Sequence, residues 1–308
     1  DRQVSTYSIV ARDPSTGEIG VAVHSHWFQV GHVVAWAQAG VGAVATQALT
    51  NASYGPEGLT LLAGGTTPTE AIERLVQGDT EGARRQVAMV DSQGRTAAWT
   101  GKKCIHAAGH QTGNGFSVQA NMMASPEVWP AMARAFEKTK GPLAERMIAA
   151  LAAAEGAGGD IRGRQSAALI VVPAVATDNP WEDRLVDLEV ADHADPIGEL
   201  SRLLNIRRAY DAFDRAGTAI EKGDFDSAKG AMMEVRRRLP KRTELCFWYA
   251  LALFEAGQKE TALSIFRPLL RKEVRWRKAL GRLPAADLLS AEDVAFIRAQ
   301  VSKKGNAQ

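Results

Sequence analysis

Three hydroxyls, Ser5, Thr6 and Ser8, stand close together where a first strand begins. A serine or threonine at such a place can hold nucleophile and base in one residue. Its free α-amino group, with a reference pKa of about 7.7–8.0, takes the proton of its own side-chain hydroxyl. The condition is a free amine, and residues 1–5 precede Thr6, so its nitrogen is an amide until the Ser5–Thr6 bond is cut. Attack on an amide carbonyl also needs donors aimed at the developing negative charge. Polar residues at strand ends supply candidates: Gln47, Asn51, Asn121 and the backbone amides of Gly158 and Gly159. Asp160 could orient an amine or bind a cationic part of a substrate. Histidine offers a competing chemistry, since His24 and His26 alternate onto one strand face and could join His32, His106, His110 and Asp160 around a hydrolytic zinc. The plainer readings are ordinary strand residues for Thr6 and Ser8, and cap or turn residues for the others.

These residues need a frame to position them. STYSIVARDPSTGEIGVAVHS (5–25) reads as strand, turn and strand: β-branched runs flank Asp13-Pro14-Ser15-Thr16-Gly17, where proline presets φ and glycine can take a positive one. HVVAWA (32–37) and VGAVATQ (41–47) read as two further strands, which argues for an antiparallel sheet. GLTLLA (58–63) and PTEAIERLV (68–76) read as helices, the second with Thr67 and Glu70 in capping-box spacing. Strands return at 85–91 and 95–100, then around 104–108 and 116–123. Helices follow at about 127–138 and 143–154, a glycine-rich loop at 156–163, and strands at 166–172 and 185–190. Strands, two helices, strands, two helices and strands is an α+β order, not a doubly wound one, and two facing sheets with helices outside both would bury every apolar face.

The character changes near residue 194 to helix only. Ala216, Gly223, Ala228 and Met232 recur as Ala250, Gly257, Ala262 and Phe266, each displaced by 34 residues. That period, with a glycine in the inter-helix turn, is the tetratricopeptide pattern. Pro240 closes the first repeat, whereas Pro268 falls well inside a helix of the second and departs from the pattern. Two repeats bury little alone, so a tail helix near 291–300 is expected to cap them or the segment to dock on the first domain.

Composition narrows the field. With 308 residues, 45% hydrophobic and 23% charged, the chain is an ordinary globular sequence long enough for two domains. A net charge of +2 implies neither nucleic acid nor an anionic membrane as partner. No apolar run reaches membrane-span length. Two distant cysteines, Cys104 and Cys246, exclude a disulfide framework and a cysteine metal cluster. No GxGxxG or GK[ST] lies between strand and helix, so no nucleotide site is expected. Trp36, Trp99, Trp129 and Cys104 read as packing residues, and Arg236–Arg238 as a solvated helix face. The chain begins at Asp1, which suggests that an export signal or an expression leader has been removed, leaving the compartment open between cytoplasmic and exported.

The segments SIVARDPSTGEIGVAV (8–23), AGVGAVATQAL (39–49), YGPEGL (54–59), TGKKC (100–104), GFSVQANM (115–122) and GGDIRGRQSAAL (158–169) together resemble a bacterial family known as domain of unknown function 1028. The resemblance spans about 6–192 and places the chain among the N-terminal nucleophile (Ntn) hydrolases. It implies a four-layer αββα sandwich, and a mature chain that often starts at the Thr or Ser opening the first strand, matched here by Thr6. Position 120 is Ala where similar chains commonly carry Gly, which could narrow a backbone approach.

The sequence thus leads to an Ntn-like αββα domain (1–192) followed by a small all-α tetratricopeptide-like domain (194–308). The expected activity is hydrolysis of an amide in a small molecule. Thr6 is the expected nucleophile, with Ser8, Gln47, Asn121 and Asp160 in support and His24, Ser25, Asn51, Gln119 and Gln165 in substrate contacts. No cofactor and no metal is assigned. The alternatives are a scaffold that recruits a peptide or protein through its helices, and a histidine-based metal hydrolase. A homo-oligomer is compatible with either.

Overall fold

The computed structural model describes residues 2–302 and divides into two compact units, Asp1–Leu204 and Asn205–Gln308. The opening hairpin forms as its turn residues dictate. After a short strand β1 (Arg2–Val4), β2 (Thr6–Arg12) and β3 (Ile19–Ser25) pair antiparallel with Thr6 opposite Ser25. The Asp13 carboxylate accepts from the amides of Ser15 and Thr16, and Gly17 closes the turn at φ 75°.

HVVAWA is not one strand. Gly31–Val34 makes a single helical turn, α1, because the Val30 carbonyl accepts from Val33 and Val34; the strand β4 (Ala35–Gln38) begins after it. Then come β5 (Gly42–Thr50), α2 (Tyr54–Ala63) and α3 (Pro68–Gln77), the last with both capping-box bonds between Thr67 and Glu70. β6 (Arg85–Asp91) and β7 (Thr96–Thr100) follow as read. The strand expected at 104–108 is absent. Its backbone is spent on irregular partners, Cys104 donating to Gly101 and the carbonyls of Ile105 and Ala107 receiving Met122 and Met123. β8 (Gly109–Gly113) and β9 (Phe116–Ala120) lie beyond it, then α4 (Val128–Lys138), α5 (Leu143–Gly156), β10 (Ser166–Val172) and β11 (Val186–Val190).

The strands form two antiparallel sheets. One runs β1-β5-β6-β7 with β4 also on β5; the other runs β11-β10-β3-β2-β9-β8. Because neighbours in a strand point to opposite faces, each central strand feeds two cores. Val10, Val21 and Val23 meet Ala43, Ala45 and Val90 between the sheets. Ile9, Ala22 and Val118 meet Met132, Phe136 and Met147 of α4 and α5. On the first sheet, Val44, Val87 and Met89 meet Tyr54, Leu59 and Ile72 of α2 and α3. Each large side chain so buried contributes roughly 1.5–3 kcal/mol.

The division into units falls at Leu204, later than the change of composition near 194. The long helix α6 (Pro196–Glu221) places Ile197, Leu200 and Leu204 in the first unit's core and Ala212, Ala216 and Ile220 in the second's. The second unit continues with α7 (Phe225–Arg238), α8 (Glu244–Glu255), α9 (Lys259–Lys272), α10 (Val274–Leu280) and α11 (Ala291–Ser302). The 34-residue recurrence carries into structure. Ala216, Ala228, Ala250 and Ala262 are fully buried, and Gly223 (φ 74°) and Gly257 (φ 80°) end α6 and α8 in the left-handed region. Both ends make the same bonds, the residue after each glycine donating to the carbonyl five residues back, Ala219 and Leu253. α9 runs unbroken through Pro268. Among the described residues no helix is long and apolar enough to cross a membrane.

Candidate functional site

At the Thr6 end of β2 the inter-sheet core changes from apolar to polar. Thr6, Ser8, Gln47, Gln86, Gln119 and Asn121 are all fully buried there. Ser8 Oγ donates to Gln47 Oε1 (2.6 Å) and accepts from Gln119 Nε2 (2.6 Å). The Gln47 amide donates to Gln86 Oε1 (2.7 Å) and to the Thr6 carbonyl (3.2 Å), and the Asn121 backbone amide donates to that same carbonyl (3.1 Å). Asn121 Nδ2 donates to Gln86 Oε1 (2.9 Å). Five residues nominated from the sequence therefore meet in one bonded cluster around Thr6. Its centre, Gln86, was missed, because a glutamine inside the strand RQVAMVD gives no signal apart from alternation. Asn121 Oδ1 is buried without a partner, a costly state for an amide oxygen.

The Thr6 hydroxyl is fully buried. It donates to the Val4 carbonyl (2.9 Å), and β1 covers it by pairing with β5, Val4 opposite Ala48. In this form the free-amine chemistry is blocked. The neighbouring peptide bond is set differently. The Ser5 carbonyl oxygen, which belongs to the Ser5–Thr6 bond, accepts from Ser25 Oγ (2.5 Å) and from the Arg162 guanidinium (2.7 Å). Asp160 fixes that arginine, its Oδ1 accepting from Arg162 N and Nε and its Oδ2 from Arg162 Nη2 (2.8 Å). Asp160 Oδ2 also accepts from the His26 amide (3.3 Å). Arg162 was missed as well; its signal was only the RGR at the end of the glycine-rich loop.

Other nominated residues lie elsewhere. His24 is the strand neighbour of Ser25 and so points to the opposite, helix-facing side of β3. It is fully buried and stacked on Tyr7, ring centroids 4.7 Å apart, with neither ring nitrogen bonded. Burial lowers its pKa to about 4, so it is neutral. Tyr7 in turn donates to Glu155 Oε1 (2.5 Å), with Arg164 on the other oxygen, and its phenol is pushed well above its ordinary pKa by burial and then by Glu155. Asn51 caps the turn before α2, its Oδ1 accepting from the Ser53 amide. Gln165 is half-buried, its carbonyl accepting from the His193 amide. The amides of Gly158 and Gly159 donate to Glu155 and Ala154 at the end of α5, so neither serves as an oxyanion donor. The zinc alternative also fails to assemble: among the described residues no three His, Cys, Asp or Glu side chains are placed to hold a metal ion.

Behind Gln86 the polar cluster reaches a surface cavity of about 520 Å³ lined by Thr100, Lys102, Cys104, His106 and His110. Gln86 Nε2 donates to Thr100 Oγ1 (2.9 Å), which leaves the threonine proton for His110 Nδ1 (2.8 Å). Burial lowers the His110 pKa and raises the Cys104 thiol to about 11. A protonated thiol is a poor nucleophile.

A model of a family of unknown function (DUF1028) matches residues 6–200. Among solved structures the chain is similar to protein SPO2555 from Silicibacter pomeroyi, of the same family, at 35% identity over 65% of this chain and 84% of that one, with a TM-score of 0.59. It is also similar to Anbu (ancestral beta-subunit) from Yersinia bercovieri, at 12% identity over 65% of this chain and 93% of that one, with a TM-score of 0.32. No functionally curated protein matches it.

Proposed function

Since the chain belongs to the family of unknown function DUF1028, whose name carries no reaction, we propose the reaction from the site: hydrolysis of an amide bond by Thr6, after the Ser5–Thr6 bond has been cut. The observation that carries this reading is the double grip on the Ser5 carbonyl oxygen by Ser25 Oγ and Arg162. Two donors on one carbonyl are what a tetrahedral oxyanion requires, and the hydroxyl best placed to attack that carbonyl belongs to the next residue. In the first step Thr6 Oγ bonds to the Ser5 carbonyl carbon, the C–N bond breaks, and the hydroxyl proton ends on the departing nitrogen. Water then hydrolyses the resulting ester to a Ser5 carboxylate and a Thr6 with free amine and hydroxyl. That amine becomes the base for later turnovers. Asn121, opposite Thr6, offers its unpartnered Oδ1 to the new amine, while Gln47, itself fixed by Ser8, holds the Thr6 carbonyl.

The same reading takes the three apolar layers and their flanking helices as the αββα sandwich of the Ntn hydrolases, and the recurrence in the second unit as two tetratricopeptide-like repeats. A small-molecule or peptide amide is the substrate, with His24 and Gln165 outside the contacts and Ser25 within them. Intact mass together with turnover on an amide panel tests the proposal. Loss of residues 1–5 with turnover, both abolished by Thr6→Ala in a folded chain, supports it; turnover by a chain that keeps Asp1 overturns it.

One observation favours a second role. The helical unit carries a groove of about 720 Å³, lined among others by Phe225, Lys229, Met233, Arg236 and Tyr249, suited to an extended or helical peptide. No turnover on the amide panel, with a partner retained by residues 200–308, would favour a recruiting module over the enzyme.

A further inference from the structure

The strand β1 sits where a hydrolase of the proposed kind would hold the acyl side of its substrate. Its pairing with β5 is antiparallel, Arg2 opposite Thr50, Gln3 opposite Leu49 and Val4 opposite Ala48. The next residue, Ser5, delivers its carbonyl to Ser25 and Arg162. Val4 is fully buried among Val10, Val23, Ala43 and Ala45 in the inter-sheet core, and Ser5 is fully buried too. Ala48 takes φ 69°, a left-handed backbone unusual for alanine, of the sort held in place at functional sites.

We infer that the Ala48–Thr50 edge of β5 is a peptide subsite, which takes the acyl side of an extended peptide by strand addition and is filled in the uncut chain by β1. The inference rests on the hydrolase reading above and deepens it by naming the substrate class. The chemistry ties the two together. The ester made in self-cleavage joins the Ser5 carbonyl carbon to Thr6 Oγ, and a peptide substrate attacked by Thr6 gives the same kind of ester, with its own residues in place of 2–5. A site that holds β1 through that ester holds an acylated peptide in the same way. Main-chain bonds to β5 then give affinity, and side-chain pockets give selection. The pocket of Val4 selects a β-branched apolar residue one before the scissile residue; the enclosed place of Ser5 selects a small one. A compact amide without a peptide main chain gains none of this.

The probe is a fluorescein-labelled Arg-Gln-Val-Ser peptide, followed by anisotropy against the full Thr6→Ala chain, which stays uncut, and against the same chain with Val4→Asp, whose β1 is no longer seated. Saturable binding to the Val4→Asp variant, at least tenfold weaker binding to the Thr6→Ala parent, and at least tenfold loss when the peptide's valine becomes aspartate are the expected results. Equal binding to both proteins, or none to the variant, overturns the inference. Should Val4→Asp fail to fold, a chain that begins at Thr6 takes its place with the same criteria. Turnover of an Arg-Gln-Val-Ser anilide against acetylserine anilide by the wild-type chain separates the two readings. Binding without turnover overturns the hydrolase and leaves the subsite, whereas turnover of both anilides at equal kcat/KM leaves the hydrolase and overturns the subsite.

Discussion

Ser25 and Arg162 share one acceptor: the Ser5 carbonyl oxygen lies 2.5 Å from the Ser25 hydroxyl and 2.7 Å from the Arg162 guanidinium. Strand pairing brings the first, since Ser25 is opposite Thr6 in the hairpin. A carboxylate brings the second, Asp160 holding the arginine by three of its nitrogens.

If both donors stabilise the oxyanion of self-cleavage, removing one should slow it by about 10²-fold, the usual effect of losing an oxyanion donor. Ser25→Ala and Arg162→Ala are each expected to accumulate uncut chain in a time course of intact mass, with unchanged circular dichroism. Cleavage of both variants at the wild-type rate would remove the donors from the mechanism.

Gln86 joins Gln47 of its own sheet and Asn121 of the facing sheet to Thr100 beyond them. Gln86→Leu keeps the volume but strips partners from two fully buried amides, so a loss of about 2–4 kcal/mol is expected in urea unfolding. A loss below about 0.5 kcal/mol would mean that the amides find new partners.

His24 is neutral and buried, with a pKa of about 4 against about 6.5 in an unfolded chain. The unfolded state therefore binds the proton first, and stability falls as pH drops from about 6.5 to about 4, by about 3 kcal/mol in all. Below that window this residue adds no further loss. His24→Phe, which keeps a ring on Tyr7, should flatten that part of the curve when denaturant midpoints are compared at pH 7.5 and 4.5; an unchanged slope would assign the acid sensitivity to other groups.

In the helical unit, glycines separate by backbone. Gly223 and Gly257 have positive φ at helix ends, whereas Gly230 lies inside α7 with open space where a Cβ would stand. Alanine at 223 or 257 should destabilise the chain by about 1 kcal/mol, and alanine at 230 should stabilise it by about 0.5–1 kcal/mol. Thermal unfolding of the three variants checks both signs.

Much of this was legible in residue types. Alternation and turn chemistry located the opening hairpin, the capping box located α3, and the 34-residue period located equivalent buried positions in two helix pairs. Polar residues at strand ends pointed to Gln47 and Asn121, which do meet at Thr6, together with Gln119, expected among the substrate contacts. What failed depended on contacts distant in sequence. HVVAWA is as apolar as a strand, yet the Val30 carbonyl turns its first half into helix. Periodicity could not reveal β1, a three-residue strand that exists by pairing with β5. His24 looked like a companion of Ser25, but adjacency along a strand sends the two to opposite faces.

The cluster around Thr6 is made of carboxamides and hydroxyls, groups whose charge does not change between mild acid and mild base. With no imidazole in that cluster, the only proton that a freed Thr6 must shed before attacking is the one on its own nitrogen. The rate should therefore climb along a single limb as the solution turns alkaline and then level off, without the descending arm that a paired acid and base would impose.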